Sequence, residues 1–392
     1  MSTLDTRIAQ VDVLRGAALF GILVVNILVF AFSSYGGSLG DATGGALSNS
    51  LAFVVSAVFE LKFYLMFSFL FGYSFTLQQQ SARRAGVSFG PRLLRRHAAL
   101  FVVGLLHAVL LFHGDILTTY AVLGLPLWLL ARRSTRTRIV LAIALVLAVG
   151  AVWGFVAWMQ WAAPARDDTP LLVANALQAK VSYTGSPMQI IAQHLRDLQE
   201  FLPLLVMLQL PCALAMFLLG QVAGDQQLFA APTRYCRYQR PALAAAAVIG
   251  VPGALTYAAA TRLASGSALE TASLALSVVT APFLTCGLMA LILRLVDSGQ
   301  CEWLTQRMAA AGRMSLTHYL LQSLVCALIF HGYGVGLMDR LNLPAVLALA
   351  VVIYALQLLL SPPWLRRHAY GPMEWLLRAA TVMQWPTWRR SP

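Results

Sequence analysis

The sequence predicts an all-α fold: a polytopic membrane bundle of about ten transmembrane helices. Three observations predict it. Of 392 residues, 59% are hydrophobic and only 11% are charged, against about 25% charged in soluble domains. Mean hydropathy is +0.72. Ten apolar runs are long enough to cross a bilayer, which takes about 17–25 residues. They are 15–32, 51–76, 94–112, 114–131, 139–161, 201–223, 242–260, 271–296, 315–330 and 344–360. The fourth and ninth are short, with turn-prone residues at one end.

The loops between the runs alternate in charge. Arg83, Arg84, Arg92, Arg95 and Arg96 lie between runs two and three, and Arg132, Arg133, Arg136 and Arg138 between four and five. Arg234, Arg237 and Arg240 lie between six and seven, and five arginines follow run ten. The intervening loops are nearly neutral; 33–50 carries only Asp41. Under the positive-inside rule this places both termini in the cytoplasm. Ten spans satisfy that parity and nine do not. The net charge of +13 therefore belongs to cytoplasmic loops beside the lipid bilayer and does not indicate nucleic acid. Asp12 and Asn26 interrupt the first run, which reads as a retained span and not as a cleaved signal peptide.

The chain divides into residues 1–161 with five spans, an external loop over 162–200, and a five-span region over 201–392 with a basic, Trp-rich interfacial tail. Within the loop, PMQIIAQHLRDLQE has apolar residues at Met188, Ile191, Leu195 and Leu198, a helical spacing. It reads as an amphipathic helix lying over the bundle. Cys212, Cys236, Cys286, Cys301 and Cys326 show no CxxC or paired pattern, and no HxxH or HxxxH spacing suggests a metal.

Polar residues inside apolar runs carry the functional signal, because burying them is costly without partners. Asp12 and Arg15 share a helix face three residues apart. Arg15 can grip a phosphate or carboxylate at the inner lip, or simply snorkel with Asp12 as its partner. Asn26 lies about 16 Å deeper by helical rise. Glu60 and Lys62 fall deep in run two, pointing different ways. His107 lies in the outer half of run three, with His113 and Asp115 just beyond that run. A histidine beside a carboxylate can act as a base and its orienting group; Asp115 can also cap the next helix. In run nine, Ser315, His318, Tyr319 and Gln322 recur as one polar stripe facing a cavity or a neighbour, and Arg313 stands at its basic end.

Six segments together resemble the YeiB-like family of bacterial multi-pass membrane proteins: VDVLRGAALFGILVVNI, KFYLMFSFLFG, HAVLLFHGDILTTYAVLG, GRMSLTHYLLQS, GYGVGL and YGPMEWLLR. The opening DVLRG…N is also similar to heparan-alpha-glucosaminide N-acetyltransferases, and more distantly to acyltransferase-3 enzymes. That resemblance implies a transmembrane-acyltransferase-like bundle that moves an acyl group from acyl-CoA, as co-substrate, to a small-molecule, glycan or lipid acceptor at the outer face. It implies no metal. Asn26 stands where acyltransferase-3 proteins have histidine, at the same ten-residue spacing from Arg15. The heparan enzymes also have asparagine there, but their catalytic histidine in the following loop has no counterpart in 33–50. His107 is the best substitute base, with Asp115 orienting it and His113 second. Arg15, Arg95, Arg96 and Arg313 would then hold the CoA phosphates. Glu60, Lys62, His113, His318, Tyr319 and Gln322 would surround the acceptor. A transporter or exporter of a small or lipidic metabolite, a non-catalytic scaffold, and assembly as a homodimer stay open from the sequence.

Overall fold

The computed structural model describes residues 8–33, 45–163 and 169–389. Most of the near-neutral loop 33–50, including Asp41, and part of ARDDTP lie outside the described residues. Helices dominate what is described. They are α1 Ala9–Ala31, α2 Ala46–Val54, α3 Lys62–Arg84, α4 Phe89–Leu110, α5 Leu117–Leu130, α6 Thr135–Ala162, α7 Thr169–Tyr183 and α8 Pro187–Leu204. There follow α9 Leu210–Asp225, α10 Pro232–Ala245, α11 Val251–Leu263, α12 Ala268–Asp297, α13 Glu302–Arg313, α14 Ser315–Phe330, α15 Leu343–Arg367 and α16 Pro372–Val382.

Each of the ten expected runs has a helical counterpart. Eight helical stretches among the described residues are long and apolar enough to cross a membrane. The other two runs fall short for identifiable reasons. α5 has 14 residues, roughly 21 Å by helical rise against a hydrocarbon core of about 30 Å. It starts at Leu117, not at Gly114, because the Asp115 carboxylate accepts the Thr118 amide at 2.7 Å and begins the helix there. α14 is joined to α13 through an 85° bend at Met314.

The central helix is α1, nearly three-quarters buried over its apolar window. It packs against α13, α3, α15 and α14. The α1–α13 crossing depends on small residues that let backbones approach. A Cβ on Gly312 would run into the carbonyl of Asp12, and one on Gly16 into that of Met308. The neighbours in sequence, Arg15 and Arg313, are thereby set side by side at one end of the bundle.

Run two is broken. α2 passes through a wide π-type turn, Val55–Phe59, before α3 restarts at Lys62. Leu61 between them has φ +66°, a left-handed conformation costly for a branched residue. Lys62 is fully buried and its Nζ donates to the Ser56 carbonyl at 3.0 Å. Glu60 accepts from Ser56 Oγ at 3.3 Å. The two charges therefore converge on one residue, Ser56, where their spacing predicts different partners, because the break at Leu61 takes them off a single regular helix.

The expected external loop is largely helical. α8 is not a separate cover: it runs through a second wide turn, Leu205–Gln209, directly into α9. Its exposed face is mixed: Met188 and Leu195 are exposed beside Gln189, Arg196, Gln199 and Glu200, whereas Ile190, Gln193 and His194 are buried. The buried polar pair turns in to find partners, because a polar group buried without one is costly.

Chain order and contacts leave the start of α1, the ends of α3 and α9, the α5–α6 turn and α16 at one end of the bundle, the basic end. The α4–α5 turn, α7, α8 and the loop after α14 lie at the other, the histidine end.

Candidate functional site between the basic and histidine ends

At the basic end a cavity of about 340 Å³ is lined by Arg15, Arg92, Arg96, Arg313 and Arg378, with Ser74, Gln78, Ser315 and Glu374. Arg15 Nη1 bonds Asp12 Oδ1 at 2.9 Å, and its Nη2 donates to Ser74 Oγ. Glu374, from α16, does not sit opposite these arginines as a simple counter-ion. It accepts from the Leu316 amide at 2.7 Å, the Thr317 amide at 3.1 Å and Thr317 Oγ1 at 2.6 Å, so it caps α14. Burial holds its pKa above the usual carboxylate value, and these hydrogen bonds oppose that rise. Three of the four expected phosphate-binding arginines thus converge. The exception is Arg95, which lies outside this lining and bonds its own Pro91 carbonyl at 3.2 Å. One residue from Arg96, it is rotated about 100° around α4.

A second cavity, of about 100 Å³, lies deeper. Asn26, Gly21 and Ile22 of α1, Phe63 and Tyr64 of α3, Tyr319 of α14, and Gly114 and Ile116 line it. The two cavities follow one seam. Phe67 and Leu316 wall the basic cavity, one helical turn from Tyr64 and Tyr319 in the deeper one. Tyr120, bonded to Ser68 at 2.8 Å and packed on Phe67 and Phe71, stands beside that turn.

Behind Tyr319 is the pair expected from the sequence. His107 Nδ1 and Asp115 Oδ1 are 2.8 Å apart, both side chains 1% exposed. In the neutral tautomer that donates from Nδ1 to Asp115, the lone pair lies on Nε2. Nε2 has no partner among the described residues. The Tyr319 ring packs 5.0 Å from the imidazole, and its hydroxyl accepts from the Ile116 amide at 3.4 Å.

The polar stripe of α14 does not act as one surface. His318 Nε2 and Ser361 Oγ are 2.7 Å apart, and Gln322 donates to Gln357 at 2.8 Å. Both join α14 to α15, while Tyr319 turns to His107 and Ser315 to the arginine cavity. Glu60 and Lys62 also stay out of both cavities; only their neighbours Phe59, Leu61 and Phe63 reach the Asn26 cavity.

The histidine end holds a cluster that the sequence reading missed. The Tyr183 hydroxyl lies 3.2 Å from both His113 Nδ1 and His194 Nδ1, and donates to Asp197. Gln193 donates to the other Asp197 oxygen at 2.7 Å. His331 stacks on Tyr183 with ring centres 4.5 Å apart. Burial pushes the His331 pKa down to about 3, and His113 adds a repulsion. Burial also lowers His113, against the pull of Asp197, and raises Tyr183. At neutral pH these imidazoles are uncharged. Among the described residues no set of three or more such side chains is arranged to hold a metal. The available signal was the i,i+3 pair His194 and Asp197 on α8, together with HGYG.

A polytopic α-helical protein of the bilayer, with an arginine cavity, an asparagine-lined cavity and a buried His–Asp pair along one seam, is the class these features define. The chain belongs to the YeiB-like DUF418 family. The family described as "Protein of unknown function (DUF418)" matches residues 223–384. The uncharacterized protein YxaH of Bacillus subtilis (strain 168) is 30% identical over 97% of this chain and 96% of its own length. The uncharacterized protein YeiB of Escherichia coli (strain K12) is 36% identical over 105 residues, 26% of each chain.

Proposed function

We propose that this integral membrane protein transfers an acyl group from acyl-CoA, bound at the basic end, to an acceptor that arrives from the histidine end. The observation that carries the reading is the seam of two cavities, running from Arg15, Arg96 and Arg313 to Asn26 and Tyr319, with His107 and Asp115 behind. The arginines hold the CoA phosphates. Asn26 donates its amide to the thioester oxygen as charge develops there. His107 takes the proton of the acceptor hydroxyl or amine, with Asp115 fixing its tautomer. Tyr319, against both the cavity and the imidazole, links the two. The acceptor oxygen or nitrogen bonds to the acyl carbon, the carbon–sulfur bond breaks, and the proton ends on the departing CoA thiolate. By the positive-inside rule the basic end is cytoplasmic.

A second reading, proton-coupled transport of a small or lipidic metabolite, draws on the buried titratable cluster around Tyr183. Calorimetry on the purified protein separates the two. Acetyl-CoA should bind, and Arg15→Ala should weaken it by about 1.5–3 kcal/mol, the range for a charge-assisted hydrogen bond. Arg15→Lys should recover little, since a point charge does not reproduce the planar fork. Absence of CoA thioester binding by the wild type removes the donor assignment.

A further inference from the structure

Beside the arginine cavity lies a larger chamber that the acyl-transfer reading does not use. It measures about 480 Å³ and is lined by Phe89, Trp128, Gln79, Gln80, Arg83 and Arg132 among others. This is within the range of small-molecule sites. Phe89 belongs to both walls, so the two cavities adjoin. The end of α3 runs between them. Gln78 and Ser81 face the arginine cavity; Gln79, Gln80 and Arg83 face the chamber.

We propose that this chamber is a binding subsite for the purine base and ribose phosphate of an adenine nucleotide, whose remaining phosphates lie in the arginine cavity. The proposal rests on the acyl-CoA reading and identifies which end of that donor the chamber takes. Trp128 and Phe89 offer aromatic faces, on which a base stacks. Trp128 has room because residue 90 is glycine: a Cβ there would come within 3.3 Å of the indole. The amides of Gln79 and Gln80 carry both donors and acceptors, which suits a base edge. Arg83 and Arg132 supply charge for a ribose phosphate. The carboxylates nearby do not cancel that charge. Asp225 itself lines the chamber but is ion-paired with Arg138 at 2.7 Å, and Glu374 is committed to the start of α14. A lipid headgroup phosphate would use the arginines but not the stacking faces and amides. The continuity at Phe89 also favours an extended polyanion over a compact headgroup.

The test uses the full chain in nanodiscs of zwitterionic lipid, with radiolabelled adenosine 3′,5′-bisphosphate as probe. Binding is expected, with acetyl-CoA competing. Trp128→Ala should weaken the probe roughly 5- to 100-fold, the range for loss of one stacked base, and Trp128→Phe should stay within about threefold of wild type. Binding of inorganic pyrophosphate should not change in either. Arg132→Gln, at an exposed position that does not endanger folding, should also weaken the probe. Failure of the bisphosphate to bind overturns the proposal. So does anionic lipid that co-purifies with the wild type and is lost in Arg132→Gln, since the chamber is then a headgroup site. If acetyl-CoA binds wild type and Trp128→Ala alike, the subsite falls and the donor reading stands. If the bisphosphate binds and responds to Trp128 while no CoA thioester binds, the donor reading falls and the nucleotide site stands.

Discussion

The two ends of the seam are built on opposite principles. At the basic end, charged arginines surround open cavities; Asp12 pairs with Arg15, while Glu374 and Asp225 are occupied with other bonds. At the histidine end the polar groups are packed together with little space, and burial keeps the imidazoles neutral. An end that holds cations around empty volume is suited to an anionic ligand. An end that packs uncharged donors and acceptors in apolar surroundings suits hydrogen bonding to an uncharged acceptor, and since burial makes His331 a weak base, the proton chemistry falls to His107 beside the Asn26 cavity. The difference separates binding from proton chemistry along one path. Asn26 and Tyr319 stand at the junction.

The comparison fails entirely if the two ends are not on opposite sides of the membrane. In a cysteine-free background, Met188→Cys should react from outside with a membrane-impermeant maleimide. Arg133→Cys should react only after the membrane is permeabilised. The reverse pattern would exchange donor and acceptor sides.

The next largest effect concerns the base. His107→Ala should lower transfer by about 10²- to 10⁴-fold, the contribution of general base catalysis, with CoA binding intact. The readout is CoA released from acetyl-CoA in native membrane vesicles, which supply the acceptor. His113→Ala should cost less, because that imidazole bonds Tyr183 and not the group beside Asn26. Asp115→Asn should fall between. An active His107→Ala beside an inactive His113→Ala would move the base to the Tyr183 cluster.

Some of this arrangement was legible in the sequence. The apolar runs were plain, because the bilayer sets their length. Asp12 and Arg15 were legible as an i,i+3 pair, and His107 and Asp115 because only a short turn separates them. Tyr183, His194, Asp197 and His331 come from α7, α8 and the loop after α14, so no local spacing brings them together. The helical spacing on α8 was legible, but its burial was not: Ile190, Gln193 and His194 turn inward because α7 and the loop after α14 supply their neighbours. The stripe on α14 divided because Tyr319 is about 100° around the helix from His318. The break at Leu61 had no local signal beyond the charges that flank it.

The histidine end also has a pH signature of its own. His331 has its pKa held near 3 in the folded protein against 6.5 ordinarily, and His113 is lowered in the same direction. Both are bases whose neutral form the fold prefers. Their stabilising effect is complete above pH 6.5 and is lost as pH falls below it, because the unfolded chain takes up the proton first. The loss continues toward pH 3, at up to about 1.4 kcal/mol per pH unit for such a group. Thermal denaturation between pH 7.5 and 5 should show a falling Tm, with a shallower slope in His331→Phe. An unaltered slope would mean that His331 is solvated and charged.

The smallest expected effect sharpens the basic end. Arg95 and Arg96 are adjacent in sequence, and charge counting treats them alike. Only Arg96 lines the arginine cavity; Arg95 bonds the Pro91 carbonyl one turn back. If affinity came from the overall positive field, replacing either would weaken CoA binding similarly. If it comes from direct contact, Arg96→Ala should cost about 1.5–3 kcal/mol, whereas Arg95→Ala should change it by less than about 0.5 kcal/mol, the range for a surface substitution away from a site. Calorimetry at low and at physiological salt tells these apart, since the long-range contribution is screened by salt and the contact is screened far less. Equal losses in the two variants, vanishing together at the higher salt, would reduce the basic end to a diffuse attraction with no defined phosphate contacts.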